Sequence, residues 1–523
     1  MKGKVLNDLK ELYLEVVKGK GKPLDHWEVA ALLEVYGIRD VDAKNEYGFE
    51  NVFELARYLF DNYRNSVTYE EKRLVDQQEA PPLKERVIKN YLKGIAFALP
   101  MLLQIVFTLV FGFALWSSIN LDATDATVIA LGTFLALIVS GASAQIIGRK
   151  GLYYLKMNEK ILSGKIMQVL LVQSLIKIIF LFIIILLANL LFDVFDSYLL
   201  YLFVSTFILL SVLFTVSSVY FVFEEYEKIF YFYLLGVVFV FIFHSLFGLE
   251  FPDAQFAALL CLDLIFIFFA WRRTTLLKRS QESEGEILPR TSMLVFTLLP
   301  FYLYGLLYFL FLVLDRLIAW NANSINRGFF VWFDVKYELG SDMGLIVIVL
   351  MMGLMEVLVY EFLYRLNEEV FNYKITEYEK FSAVLEKFFK KSLKLYTIYL
   401  FISIIVVFAM IFILKLVLSE KVFPFNGYAY FVFFMTSVAY GFLSFGLLNT
   451  LILFSFSRQS VVVKAIVYAL LVDFFVGVVL ANAFAIYFAS LGLLVGSAVF
   501  WYITYKYMKR ILQKLDYYYY SAF

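Results

Sequence analysis

From residue 94 onward, predominantly apolar runs of about 20 residues recur with short polar breaks between them. No other feature limits the fold as strongly. A helix rises about 1.5 Å per residue, so each run matches the roughly 30 Å hydrocarbon core of a bilayer. Backbone polar groups must be satisfied inside each segment, which makes helices the spanning element. Twelve runs can be counted, over 94–116, 126–147, 166–192, 197–223, 229–248, 254–271, 294–319, 342–366, 393–417, 428–456, 460–480 and 482–505. The last two are nearly continuous, so a tight turn is expected near Ala481. Hydrophobic residues make up 62% of the 523, against about 45–50% in soluble domains. The fold class is an all-α polytopic membrane protein.

Several functions are disfavoured by what the chain lacks. One cysteine, Cys261, rules out an internal disulfide framework. Two histidines, His26 and His244, argue against a histidine-ligated metal centre, and no cofactor is expected. Gly164-Lys165 lacks the upstream glycine of a phosphate-binding loop, so ATP hydrolysis by this chain is not expected. His244 invites comparison with membrane acyltransferases, but a lone histidine in an aromatic helix is more often structural. No paired-aspartate sugar-nucleotide motif is evident either, so the chain reads as a non-enzyme. The net charge of +1 says nothing useful about partners, and no nucleic-acid partner is expected.

Residues 1–82 read as a small cytosolic helical region with no cleavable leader. Val5, Leu9, Leu12 and Val16 form a helical stripe that ends at Lys18-Gly19-Lys20-Gly21-Lys22-Pro23. Asp25 and Glu28 have capping-box spacing, and Gly37 can close the same helix. A third helix is expected over 51–64. Pro81-Pro82 then precedes an amphipathic lead-in over 83–93. The region reads either as a folded appendage or as a docking module for a cytosolic partner.

Basic residues set the expected orientation. Arg149, Lys150, Lys156, Lys160, Arg272, Arg273, Lys278, Arg279, Arg290, Lys374, Lys380, Lys387, Lys390, Lys391 and Arg458 fall on one side. The opposite loops hold only Arg327, Lys336 and Lys421. Both termini are therefore expected on the cytoplasmic face of the cytoplasmic membrane. The connector 272–292 divides the runs into six and six, giving lobes over 83–291 and 292–523. Leu99-Pro100 and Leu299-Pro300 occupy matching places early in the first and seventh runs. The following exits, through Leu152-Tyr153 to Asn158-Glu159 and Leu363-Tyr364 to Asn367-Glu368, also match in order. That order argues for two related halves with substrate between them.

Charges inside apolar runs cost on the order of 2.5–3.5 kcal/mol each, so they mark pathways or buried pairs. Lys177 and Asp263 fall mid-membrane in the first half and read as a structural pair. Asp315-Arg316 lies near the outer end of its run, where structure and substrate gating are both open. Glu361 lies near the inner interface and reads as solvated. Glu356, about 22 Å along its helix from Ser341, has no obvious local partner and is the leading cavity residue. Asp473 stands alone at mid-depth and is the coupling-cation candidate. Gln104, Ser140, Ser143 and Gln145 could bind substrate hydroxyls or make ordinary helix contacts. The many aromatic residues, with the 517–520 tyrosine run, read mainly as lipid-facing filling and interfacial belt.

Several of these stretches carry a family resemblance. The Asp315-Arg316 helix end, the 329–338 loop with Phe329, Phe330, Trp332, Phe333, Asp334 and Tyr337, and the exit from Glu361 through Leu366-Asn367-Glu368 to Phe371-Asn372-Tyr373 resemble Pel-type exopolysaccharide exporters. So do 137–148, 448–458 and the closing Leu515-Asp516-Tyr517. The resemblance covers roughly residues 90–523; it assigns the region before it no role. It implies the multidrug/oligosaccharidyl-lipid/polysaccharide (MOP) flippase superfamily, with the first, second, seventh and eighth runs around a central cavity. The implied substrate is a polysaccharide or lipid-linked saccharide, moved by alternating access. The expected partners are the lipid bilayer, a cytosolic glycosyltransferase and other export-complex subunits. A cation-coupled drug or metabolite antiporter of the same superfamily is the alternative, and an integral membrane acyl- or glycosyltransferase a weaker one.

Overall fold

A computed structural model describes residues 9–17, 23, 25–64, 82–96, 99–119, 121–279, 288–289, 291–323, 331–370, 373, 377–420 and 422–520. Val5, the Lys18–Lys22 part of the first turn, Pro81, Arg290, Phe329, Phe330, Arg327, Phe371, Asn372, Lys374 and Lys421 lie outside them. Residues 1–86 and 87–523 are two separate compact units.

In the first unit, α1 (Leu9–Val17), α2 (His26–Tyr36), α3 (Asp40–Glu46) and α4 (Val52–Tyr63) enclose their own core. Asp25 caps α2 by accepting from the Glu28 N–H at 2.9 Å, and Gly37 ends it in the left-handed region at φ 97°. Both follow the expected capping logic. The helix α3 is additional. It forms because the Asp42 carboxylate accepts from the Arg39 backbone N–H at 2.9 Å, a cap with an unusual residue order. Asn51 caps α4.

The unit boundary falls inside α5 (Leu83–Ala96), most of which belongs to the second unit, and α6 (Leu99–Phe111) follows. The N-terminal lobe continues through α7 (Ala123–Lys156), α8 (Lys160–Phe192), α9 (Ser197–Val222), α10 (Tyr226–Ser245) and α11 (Phe251–Lys278). The C-terminal lobe holds α12 (Thr291–Asn323), α13 (Val335–Val370), α14 (Tyr378–Val417), α15 (Tyr428–Ser455), α16 (Gln459–Ala483) and α17 (Ala489–Gln513), followed by the short α18 (Leu515–Tyr520). Among the described residues, eleven helices are long and apolar enough to span a membrane, and α6 is a shorter apolar helix. Within the first lobe α9 packs against α7, α8, α10 and α11; within the second, α13 packs on α15, and α17 on α15 and α16. The main packing between lobes is α7 against α12.

Three expected boundaries move. The first run is not one helix over 94–116: α6 ends at Phe111, because Gly112 adopts φ 79° and a small antiparallel bridge joins Phe113 to Ser118. The turn between the last two runs falls at 484–488, past Ala481, where a short 3₁₀ segment (Ile486–Phe488) connects α16 to α17. The matching exits also diverge. The first breaks at Asn158, which adopts φ 61°, whereas the second stays helical through Asn367 to Val370.

The lobe seam is built on two glycines. A side-chain carbon at Gly305 would meet the Gly141 carbonyl oxygen at 2.5 Å, and one at Gly141 would overlap the Phe309 ring. The backbones of α7 and α12 therefore touch where each lacks a side chain, as small residues allow between membrane helices. Towards the end opposite the basic one, the Phe333 N–H donates to Thr127 Oγ1 at 3.1 Å and Phe134 stacks on Trp320 at 5.2 Å. Towards the basic end, Arg149 lies over the Phe301 ring at 5.1 Å and donates to the Phe454 carbonyl at 3.4 Å.

Candidate functional site

The densest buried polar cluster lies inside the C-terminal lobe. Consecutive helical residues point about 100° apart, so Asp315 and Arg316 of α12 reach different partners. Arg316 donates from Nη1 to Glu338 Oε2 at 2.6 Å and from Nη2 to Asp342 Oδ1 at 2.9 Å. Glu338 and Asp342 are four residues apart on α13, so both carboxylates share one helix face. Trp320, one turn beyond Arg316, donates from Nε1 to Glu338 Oε1 at 2.9 Å. Asp315 accepts from the Tyr337 hydroxyl at 2.8 Å. Asp334 sets the start of α13 by accepting from the Tyr337 N–H at 2.9 Å and the Tyr428 hydroxyl at 2.7 Å.

Asp473 of α16 approaches this cluster and lies against Gly492 and Gly496 of α17. Its charge is felt by Tyr337, and it in turn feels that of Asp315. Asp315 and Asp473 are both 0% exposed. Both oxygens of Asp473, and Oδ1 of Asp315, have no hydrogen-bond partner among the described residues. Two carboxylates bond the one guanidinium, Asp315 lies near it, and Asp473 lies beside Asp315. Burial of such an excess calls for a proton or a small cation. No group of three or more His, Cys, Asp or Glu with metal-holding geometry occurs among the described residues.

Glu356 is not isolated. The helix α13 begins at Val335 rather than near Ser341, which puts Glu356 about 31 Å along it, towards the basic end. Its carboxylate lies 3.2 Å from Lys93 Nζ, and the same ammonium donates to Glu224 Oε1 at 2.9 Å. Lys93 therefore joins a glutamate of each lobe. Lys177 and Asp263 are not paired. The Lys177 ammonium lies 4.5 Å from the centre of the Tyr302 ring on α12, across the lobe boundary. Asp263 is buried near Tyr233, and both its oxygens have no hydrogen-bond partner among the described residues.

Gln104 is committed locally. Its amide lies 2.9 Å from Ser117 Oγ and helps fold the 112–119 turn back onto α6. Gln145 lies against Gly305 on the lobe seam, and Ser140 and Ser143 are buried in α7. Glu361 is buried, contrary to its expected solvation. His244 Nδ1 lies 2.8 Å from the Leu249 carbonyl, and the ring stacks on Phe251 at 4.0 Å, a structural role at the end of α10. Glu338 and Asp342 are site residues that the sequence reading misses. Their four-residue spacing, facing the neighbouring Asp315-Arg316 helix, is the signal that could have found them.

This two-lobe arrangement is similar to solved MATE transporters. An outward-facing multidrug resistance MATE family transporter of the MOP superfamily matches with a TM-score of 0.56 at 14% identity, over 86% of this chain and 99% of that one. A point mutant of the Vibrio cholerae MATE transporter VcmN matches at 0.58 with 12% identity, over 83% and 98%. A MATE structure in the straight conformation matches at 0.56 with 13% identity, over 83% and 97%. The likeness shows the fold: a helical arrangement like that of the solved MATE transporters. No protein-family model matches the chain, and no curated relative does either.

Proposed function

We propose that this protein is a membrane transporter that exports an exopolysaccharide, or its lipid-linked precursor, by alternating access of its two lobes. The observation that carries this reading is the Arg316 network. Among the residues that carry the resemblance to Pel-type exporters, Asp315, Arg316, Tyr337 and Glu338 tie α12 to α13, and Asp334 starts α13. The transporter fold supports the coarser part of the reading. The residues of the resemblance support the substrate class. The test is a clean deletion complemented with the wild-type chain and with Arg316→Ala. Secreted polysaccharide should fall in the deletion, return with the wild type and not return with the variant. Unchanged secretion together with new sensitivity to toxic cations would refute polymer export.

Cation-coupled antiport of a drug or metabolite is the second reading. Asp473 and Asp315 favour it, since a buried carboxylate with unpartnered oxygens can take up and release a proton or a monovalent cation. The solved neighbours include a multidrug resistance transporter. Efflux from proteoliposomes with an imposed sodium or proton gradient tests it directly.

A further inference from the structure

A second polar site lies away from the lobe seam, on the N-terminal lobe. At the basic end of the bundle, the end of α9, the start of α10 and the end of α11 enclose a cavity of about 480 Å³. Its mouth is cationic. Arg272, Arg273 and Lys228 line it together with one carboxylate, Glu225, so three positive charges meet one negative. Glu225 is shared between Arg273 at 3.0 Å and Lys228 at 2.9 Å. Arg272 has no ion pair among the described residues and keeps its guanidinium free.

Tyr220, in the wall of the cavity, carries an enclosed donor that none of the described residues uses. Tyr220 is 2% exposed and its ring stacks on Phe266 at 4.7 Å, yet its hydroxyl has no hydrogen-bond partner among them. A buried hydroxyl left unpaired is costly, and a ligand oxygen at this position would relieve the cost. Behind the polar mouth the wall is apolar and continues onto the outer face of the bundle, where Phe269 is 44% and Leu276 50% exposed.

We propose that this cavity binds the phosphate headgroup of an anionic phospholipid. Arg272 and Tyr220 supply the donors, and an acyl chain lies along Phe269 and Leu276. The charge balance selects an anion, and the planar guanidinium fork suits phosphate oxygens. The apolar wall selects a lipid over a soluble anion. Basic pockets between membrane helices recognise acidic headgroups on these grounds. The proposal does not depend on the identity of the transported substrate.

The test titrates phosphatidylglycerol, phosphatidylcholine and inorganic phosphate into delipidated full-length protein. Bound lipid is read by native mass spectrometry, and stabilisation by thermal unfolding. Phosphatidylglycerol should bind and raise the unfolding temperature, whereas phosphatidylcholine and phosphate should do neither. Arg272→Gln should weaken phosphatidylglycerol binding about fivefold. Tyr220→Phe, which removes one oxygen and keeps the ring stack, should also weaken it. Lys156→Gln, a basic residue at the same end but outside the cavity, should have no effect. Equal responses to the two lipids, or a phosphate effect matching that of phosphatidylglycerol, would overturn the proposal. So would wild-type binding by folded Tyr220→Phe, which keeps the test decisive even if Arg272→Gln fails to accumulate.

Discussion

Lys93 Nζ lies 3.2 Å from Glu356 Oε1, and through its second bond to Glu224 it ties the two lobes together at the basic end. Both lobes must shed this contact if they part there. Burial disfavours the Lys93 charge, but the nearby Glu356 and Glu224 carboxylates outweigh it and hold its pKa above the ordinary lysine value. Burial likewise works against the Glu224 carboxylate, and Lys93 reverses this and lowers its pKa.

Glu356→Gln should leave membrane abundance close to wild type, because Lys93 keeps Glu224 and the pair is partly exposed. It should loosen the basic end. Thiol labelling of a Met352→Cys variant, beside Gly94, should rise several-fold when Glu356→Gln is added in a Cys261→Ser background. Unchanged labelling would detach this ion pair from lobe opening.

The pH dependence of that contact follows from the two shifts. The lowered pKa of Glu224 makes its contribution complete above the ordinary glutamate value, 4.5, and lost only as pH falls through the lower folded value. The raised pKa of Lys93 makes its contribution complete below 10.5 and lost as pH rises through the higher folded value. Labelling at residue 352 should therefore be flat between about pH 6 and pH 9. A step inside that window would assign control to another group.

Arg316→Met should be far more damaging than any change at Glu356. It leaves Glu338 buried against α12, and the partly exposed Asp342 beside it, without their cation, a loss of about 3–5 kcal/mol. Arg316→Lys keeps the charge but cannot donate to two carboxylates in fixed geometry, and should fall between. Monodisperse protein recovered from membranes is the readout. Near-normal recovery of Arg316→Met would remove the network from the stability of the lobe.

Asp473→Asn should accumulate at or above the wild-type level, since it breaks no hydrogen bond of that carboxylate among the described residues. If Asp473 takes the coupling cation, the variant should still move substrate down a gradient but lose its response to sodium or protons. Retention of that response would exclude Asp473 from coupling.

The first unit offers a separate test. Tyr13 is fully buried, and burial pushes its hydroxyl pKa up from 10.0 to about 12. Its contribution to stability is complete below 10 and is lost as pH rises through about 12. Residues 1–86, which have their own core, should melt progressively lower across that interval. Tyr13→Phe should flatten the decline, as followed by circular dichroism. An unchanged slope would place the alkaline transition elsewhere.

The helical segments and their division into six and six are legible in the sequence because apolar periodicity and basic loops are local signals. The Asp25 and Gly37 caps are legible for the same reason. Lys93 is not, because its carboxylate partners come from turns and helices far along the chain. The expected Lys177–Asp263 pair rests on depth alone. Depth does not fix direction, and Lys177 turns to Tyr302 instead. Glu338 is hidden because its stretch reads as outer loop, whereas Asp334 starts the helix ahead of it.

The contact between Gly141 and Gly305 has a mechanical consequence. It falls near the middle of two helices of 34 and 33 residues, so each extends roughly 25 Å to either side. Because the two backbones approach so closely there, the crossing can serve as a fulcrum. A tilt of about 10° about it would move the lever ends by about 4 Å, enough to separate Arg149 from Phe454 at one end while the Thr127 end stays closed. Gly305→Leu would jam that pivot without touching a single charge.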